Sequence, residues 1–306
     1  MSAGGMPSAF RCGTVAIAGR PNTGKSSLLN RLVGQKLAIV SPKAQTTRHT
    51  VNGILTTADC QFVFVDLPGY QTRHVNVLNK ALNRQATDGA RDCDAAVFVV
   101  EATRYGEPDR EVLARIPAEQ RVVAAVNKVD LVKNSRELLP LVERLHKERE
   151  FAAIVPVSAR SGKNVPELLR VLAELLPEGP AAYPAEQLTD RDERFFAAEI
   201  LREKLFQLLG EELPYRCDVA LESFKEEAPQ GRGKGLRRIE ATIWVERDSQ
   251  KAIVIGAKGE VLKRISSAAR KDMESLFDGK VYLGVWVKVK RDWTGDERLL
   301  RQLGYR

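Results

Sequence analysis

The sequence predicts an α/β protein in two parts. A mostly parallel sheet with helices on both faces comes first, and a smaller α+β domain follows. Three observations carry this. Strand-like apolar runs alternate with helical patterns from Cys12 to Leu176. A glycine-rich loop, Gly19–Ser26 (GRPNTGKS), joins the first run to a helix start. Beyond a proline-bearing stretch, Leu176–Asp190, the order becomes helix, strand, strand, helix, Gly-x-x-Gly turn, helix, strand.

Strands are expected at Thr14–Ala18, Val51–Thr57, Gln61–Val65, Ala95–Val100, Val122–Val126 and Ile154–Pro156. Several are continuous apolar runs, the signature of strands buried on both faces. Only a few residues separate the second from the third, which fits a hairpin and one antiparallel edge. Helical spacing is read at Arg136–Arg149 and Val165–Leu176. In the second part, Asp192–Leu209 spaces Phe196, Ile200, Leu201 and Leu205 as an amphipathic helix. Strand patterns follow at Asp218–Phe224 and Arg238–Glu246, helices at Asp248–Ile255 and Glu260–Leu276, and a last strand at Lys280–Lys290. The expected organisation is a flexible N-terminus (1–10), a first domain (11–178), a linker (179–190) and a second domain (191–306).

The four cysteines, Cys12, Cys60, Cys93 and Cys217, form no C-x-x-C pair, which argues for a reducing compartment and against structural zinc. No apolar run is long enough to span a bilayer, and the start lacks a signal-peptide pattern, so a cytoplasmic protein is expected. The net charge of +8 is uneven: residues 231–306 hold 18 Lys and Arg against 10 Asp and Glu. That end is suited to a polyanion.

The pattern G-x-x-x-x-G-K-S between a strand and a helix is a phosphate-binding loop. The backbone of Gly19, Arg20, Pro21, Asn22, Thr23, Gly24 and Ser27 surrounds the place of a polyphosphate, with N–H groups offered by all of these but Pro21. Lys25 reaches the β and γ phosphates, and the Ser26 hydroxyl ligates Mg²⁺. Asp66–Gly69 (DLPG, with Leu67 and Pro68 between) ends the third strand. Its carboxylate can hold Mg²⁺ and the Gly69 N–H can meet a γ phosphate. In Gln45–His49 (QTTRH), Thr47 can complete the Mg²⁺ shell when a γ phosphate is present, which makes a switch. Asn127, Lys128 and Asp130 (NKVD) follow the fifth strand, and the Asp130 carboxylate accepts from guanine N1–H and its exocyclic amine. Ser158, Ala159 and Arg160 open SARSG, where the Ala159 N–H can donate to guanine O6. GTP or GDP is therefore the expected ligand and Mg²⁺ the expected cofactor, with Lys25, Asn22, Thr47 and Gly69 as catalytic candidates.

In order and spacing these motifs resemble a translation-factor-class P-loop GTPase domain over residues 12–178. The position after D-x-x-G, glutamine in Ras-like enzymes, is Tyr70, which cannot orient water in the same way. The resemblance is thus to GTPases with a hydrophobic residue there. In that group an asparagine placed like Asn22 implies a K⁺ ion near the β and γ phosphates. Leu67 departs from the commoner DTPG.

Gly256-Ala257-Lys258-Gly259 lies between two helices with a cation inside it. In KH domains such a loop clamps the backbone of about four nucleotides. Lys251, Lys263, Arg264, Lys288 and Lys290 flank it in sequence, Ile253, Ile255 and Ile265 are read as groove lining, and Trp293 as a base-stacking residue, with Trp244 and Trp286 in the core. The element order is that of the bacterial-type KH domain. Together the halves, with QTTRH, Glu212–Val219 (ELPYRCDV) and VIGAKG, resemble the Era family of bacterial GTPases. That resemblance implies binding to the 3′ end of 16S rRNA, a role in 30S subunit maturation, and peripheral inner-membrane association of part of the population. A monomer is expected. The competing class is a membrane signalling GTPase whose basic end binds anionic lipid. A second GTPase domain is excluded by the single phosphate loop and single NKVD, and a phosphotransferase fits the switch segments less well.

Overall fold

A computed structural model describes residues 9–41, 43, 46–70, 77–210, 212–227 and 235–305. Residues 1–8 of the expected N-terminal segment, and Gln45 of QTTRH, lie outside the described residues. The chain divides into two compact units. The first comprises Met1–Ala38, Thr47–Val75 and Asn79–Asp190, and the second Ile39–Thr46, Asn76–Leu78 and Arg191–Arg306. The second unit thus takes in two short pieces from the N-terminal half of the sequence.

The first unit is built on six strands: β1 (Arg11–Ala18), β2 (Val51–Thr56), β3 (Cys60–Asp66), β4 (Ala95–Glu101), β5 (Val122–Asn127) and β6 (Ala153–Pro156). Their spatial order is β2-β3-β1-β4-β5-β6. All neighbours are parallel except the β2–β3 hairpin, which forms the antiparallel edge. The centre is apolar without interruption. Every residue of β5 is buried, and so is every residue of β4 except Glu101 at its end. Such strands need cover on both faces. It comes from α1 (Lys25–Val33), α2 (Val77–Arg91), α3 (Glu107–Leu113), α4 (Leu139–Glu148) and α5 (Val165–Leu175). The expected helix Arg136–Arg149 opens as a 3₁₀ turn, Ser135–Leu138, and becomes α-helical as α4 from Leu139, with Pro140 in the first turn where its missing N–H costs nothing.

The proline-bearing stretch before Asp190 is tied down along the β2–β3 edge. The buried Gln61 accepts from the Ala182 and Tyr183 N–H groups at 2.7 and 2.9 Å and donates to the Tyr183 carbonyl. The Ile54 N–H donates to the Leu188 carbonyl, and Asn52 to Asp190. The prolines limit the segment to extended conformations, and the hairpin edge offers it hydrogen-bond partners.

The second unit has α6 (Glu193–Leu208), β7 (Cys217–Glu227), β8 (Leu236–Val245), α7 (Asp248–Ile255), α8 (Glu260–Leu276), β9 (Lys280–Val289) and α9 (Glu297–Gln302). The sheet order is β7-β8-β9, antiparallel then parallel. Ile239, Ala241, Ile243 and Val245 form its fully buried face, in a core shared with Ile265, Ala269 and Met273 of α8. The Phe196–Leu205 spacing predicts one apolar stripe on α6, but from Glu199 to Phe206 the helix is enclosed on all sides. Glu199, Arg202, Glu203 and Lys204 are buried with the apolar residues. The reason is non-local: residues 39–46 belong to this unit and bond to the polar side of α6.

The Arg149 guanidinium, beyond α4, donates to the carbonyls of Ile116, Pro117, Ala118 and Gln120 at 2.6–3.1 Å. It holds the turn that feeds β5. Arg149→Ala is expected to lower unfolding free energy by about 2 kcal/mol, read by urea denaturation; an unchanged midpoint contradicts this assignment.

Candidate functional site

The C-terminal ends of β1, β3, β4, β5 and β6 converge at one rim of the sheet, where the strand order changes direction around β1. In a parallel α/β sheet that is where loops make a ligand crevice. The glycine-rich loop leaves β1 there and enters α1. Its backbone is left-handed at Asn22 (φ 66°) and Gly24 (φ 95°). A Cβ on Gly24 would stand 2.4 Å from the Asn127 Nδ2 atom, so the loop can pass Asn127 only with glycine at that position.

Asn127 ties three loops together. Its amide donates to the Thr23 carbonyl at 2.8 Å and accepts from the Ala159 N–H at 3.0 Å. Ser158, fully buried, donates to Asp130 at 2.6 Å and orients that carboxylate. Lys128 has a left-handed backbone (φ 65°) and pairs with Glu101 at 3.3 Å. Arg160 is exposed, while Arg31 of α1 donates to the Ala159 and Arg160 carbonyls. The residues expected to read a guanine base and those expected to hold phosphate thus form one connected site.

Lys25 is buried, and its ammonium donates to the Gly19 and Arg20 carbonyls at 2.9 and 3.1 Å. Burial pushes it down to about 8, against the opposing pull of Asp66. Asp66 is wholly buried, and burial pushes it up to about 6, against Lys25 and hydrogen bonds from Ser26 and Thr47. Ser26 Oγ lies 2.8 Å from both Thr47 Oγ1 and Asp66 Oδ2. The three expected Mg²⁺ ligands are therefore together, and the second Asp66 oxygen, Oδ1, is buried without a hydrogen-bond partner. A cluster of hard oxygens with an unsatisfied carboxylate oxygen fits Mg²⁺. Leu67, Pro68 and Gly69 are buried, and a Cβ on Gly69 would stand 3.2 Å from the Lys25 Nζ atom. Tyr70 is half-buried, with the Arg115 guanidinium 3.8 Å from its ring centroid.

Sequence reading missed several supports. Arg20 turns its side chain away from the loop interior, to Asp109 and Glu101 at 3.0 Å each. Glu101 thus links the phosphate loop to Lys128. The available signal was its place as the charged end of an otherwise apolar β4.

In the second unit Gly256–Gly259 forms the turn from α7 to α8, with a 3₁₀ turn at Ala257–Gly259. Gly256, Lys258 and Gly259 all have positive φ. Ala257, Lys258, Lys263 and Arg264 are exposed, Ile253 is 56 % exposed, and Lys251 and Ile255 are partly so. These residues cluster around the turn. Three expectations are corrected. Trp293 is fully buried, and its indole N–H donates to the Arg216 carbonyl, so it is a core anchor and cannot stack on bases. Trp286, expected in the core, is 49 % exposed. Ile265 is fully buried and lines no open groove. Lys288 shares with Trp286 and Tyr282 the outward face of β9, where it pairs with Glu222, and the structure does not group it with the turn. Lys290, just past β9, is exposed with its ammonium 5.3 Å from the Trp244 ring.

Among the described residues no helix is long and apolar enough to cross a membrane, and the four cysteines are free thiols.

Comparison with known proteins matches the two units separately and the chain as a whole. Residues 14–128 match the family described as 50S ribosome-binding GTPase, and residues 213–294 match the KH domain. GTPase Era of Nitrosomonas eutropha is 48% identical over 97% of this chain and 99% of its own length. That of Chromobacterium violaceum is 50% identical over 96% and 98%. Two crystal structures superpose over 97% of this chain and 99% of their own, each at 36% identity. One is a tyrosine-to-alanine variant of Aquifex aeolicus Era bound to GDP and AlF₄⁻, with a TM-score of 0.92. The other is Era in complex with MgGDPNP and nucleotides 1506–1542 of 16S ribosomal RNA, with a TM-score of 0.91.

The reassignment of the tryptophans is checked by stability. Trp293→Ala is expected to cost about 3–5 kcal/mol, and Trp286→Ala less than about 1 kcal/mol, in chemical denaturation of the full chain. Equal costs contradict it.

Proposed function

The chain belongs to the Era family of GTPases, and from that premise we propose that its GTPase cycle controls the binding of single-stranded RNA at the 3′ end of 16S rRNA, in maturation of the 30S subunit. The protein is a GTPase with a P-loop domain followed by a KH domain. What carries the RNA reading is the solvent-facing Gly256–Gly259 turn with its cluster of exposed cations, in a chain whose relative holds 16S nucleotides and MgGDPNP together.

The geometry supports the following nucleotide roles. The phosphate-loop N–H groups bind the polyphosphate, and Lys25, whose charged form burial disfavours, is favoured as the cation beside that charge. Ser26, Thr47 and Asp66 would hold Mg²⁺, which supplies charge neutralisation at the β and γ phosphates. The Gly69 N–H meets the γ phosphate. Asp130, oriented by Ser158, accepts from the guanine edge, and the Ala159 N–H, fixed by Asn127, donates to O6. Tyr70, stacked on Arg115, does not position water. Asn22 would hold a K⁺ ion, which would supply charge compensation in place of an arginine. In the same reading the protein is a cytoplasmic monomer, part of it associated with the inner membrane.

The structure also chooses the variants. A Cβ on Gly256 would meet Val261 at 2.4 Å, so substitution there disturbs packing as well as binding. Lys258→Glu with Lys263→Glu leaves the turn's shape alone. With the GTP analogue bound, this pair is expected to weaken binding to a 16S 3′-end oligonucleotide at least about tenfold. Undiminished RNA binding, or loss only of binding to anionic vesicles, removes the KH reading and favours the lipid one. Asp130→Asn is expected to lose GTP and gain xanthosine triphosphate, whose C2 oxygen accepts from the new amide; unchanged GTP affinity contradicts the guanine assignment. GTP turnover is expected to be faster in K⁺ than in Na⁺ at equal ionic strength, and to lose that difference in Asn22→Ala; equal wild-type rates remove the cation.

A further inference from the structure

Strand β9 alternates between two surroundings. Val281 and Val287 are buried, in the face of the sheet that packs on the helices. Tyr282, Trp286 and Lys288 point the other way, and Tyr282 and Trp286 are 50 % and 49 % exposed. The register with β8 sets Arg238 beside Tyr282, Glu240 beside Gly284 and Thr242 beside Trp286. On the far side of Thr242 stands Ala220 of β7. The two rings thus stand on the outward face of the sheet, among polar and charged neighbours.

The indole is laid along the strand. A Cβ on Gly284 would stand 3.0 Å from Trp286 Cη2 and 3.3 Å from Cζ3, so the six-membered ring leans over Gly284 toward Tyr282. A side chain at 284 would displace it. Half-exposed apolar area of that size goes uncompensated in water, and a threonine would suit the strand as well. The positions are about 13 Å apart along the strand, and the lean of the indole shortens the gap between the rings. Cations border both. The Arg238 guanidinium lies 4.7 Å from the Tyr282 ring centroid, Lys288 follows Trp286 on the same face, and Lys290 lies just past the strand. The carboxylates of this face are Glu222, Glu227 and Glu240. Glu222 is engaged by Lys288 at 3.4 Å and by the Thr242 hydroxyl at 2.7 Å, and Glu227 by Arg238 at 3.0 Å.

A protein partner would need a contiguous apolar centre from which water is excluded, and the surroundings of these rings supply none. Unpaired bases need only a ring face and cations for the backbone between them. Open sheets of other single-strand RNA binders present aromatics in this way.

We infer that the outward face of the β7-β8-β9 sheet is a second RNA-binding surface: it stacks unpaired bases on Trp286 and Tyr282, with Arg238, Lys288 and Lys290 placed for the phosphates. The inference rests on the reading of the second unit as a binder of single-stranded RNA. It goes beyond the Gly256–Gly259 turn, which lies between the helices that cover the opposite, buried face. A turn of that kind clamps about four nucleotides, so a longer strand has bases to spare for the sheet.

The test uses the full chain with the GTP analogue bound and a labelled, unpaired RNA of about 12 nucleotides from the 16S 3′ end. Trp286→Ala and Tyr282→Ala are each expected to weaken binding about tenfold, and Trp286→Phe, which keeps a ring, no more than about threefold. Trp244 and Trp293 are buried, so saturating RNA is expected to quench indole emission in the wild type and not in Trp286→Phe. The variant Lys258→Glu with Lys263→Glu separates the two surfaces. If it binds as the wild type does while Trp286→Ala is weakened, the sheet surface stands and the turn reading fails. If it is weakened while Trp286→Ala and Tyr282→Ala bind within about twofold of the wild type, the sheet surface is overturned and the turn reading stands. Trp286→Ala that keeps its RNA affinity and loses only binding to intact 30S subunits gives the face to a protein, which also overturns the inference.

Discussion

The side-chain amide of Asn127 is the interaction on which the nucleotide site depends. Its two hydrogen bonds, to the Thr23 carbonyl and from the Ala159 N–H, lock loops that follow three different strands. Both are buried, so neither is exchanged for water at low cost. The amide can serve both because β1 and β5 flank β4 and β6 flanks β5, which delivers all three loops to one rim. Gly24 follows as a consequence, since no side chain fits between the loop and that amide. Those two bonds join the phosphate half and the base half of the site. Such preorganisation lowers the ordering cost of binding.

Burial works against both charges at the centre of the site. Lys25 and Asp66 each have the charged form disfavoured by burial, and their mutual attraction restores only part of it. Polyphosphate and metal are the natural complements to those two charges, one for each. The glycine-rich loop therefore works as a site whose own charges are balanced by its ligand. Glu101 and Asp109 engage the Arg20 guanidinium, whose charge adds a smaller push down on Lys25.

The second unit shows the opposite use of buried charge. Four ionisable residues on α6 are enclosed, and their partners come from 39–46, from α8 through Asp272, and from one another. A core built this way is specific about what may cover it, because an ill-fitting segment would leave a charge without its bond.

Much of this was legible in the chain. GRPNTGKS, DLPG, NKVD and SARSG are local patterns placed at strand ends, and strand alternation alone located them on one rim. The β2–β3 hairpin and the second-unit element order were equally readable, since periodicity and turn residues are properties of neighbouring residues. The tryptophans divide the case. Trp286 shares the parity of Lys288 along β9, and that alternation already pointed it outward. Trp293 sits in a polar turn, and nothing local says that the turn folds over the Arg216 carbonyl. The charges of α6 read as a solvated face because the segment that covers them lies some 160 residues earlier in the chain. By itself the sequence determined the chemistry of the nucleotide site and the class of each domain. Only the tertiary structure decided which polar groups are buried and by what, because burial depends on partners that no local spacing encodes.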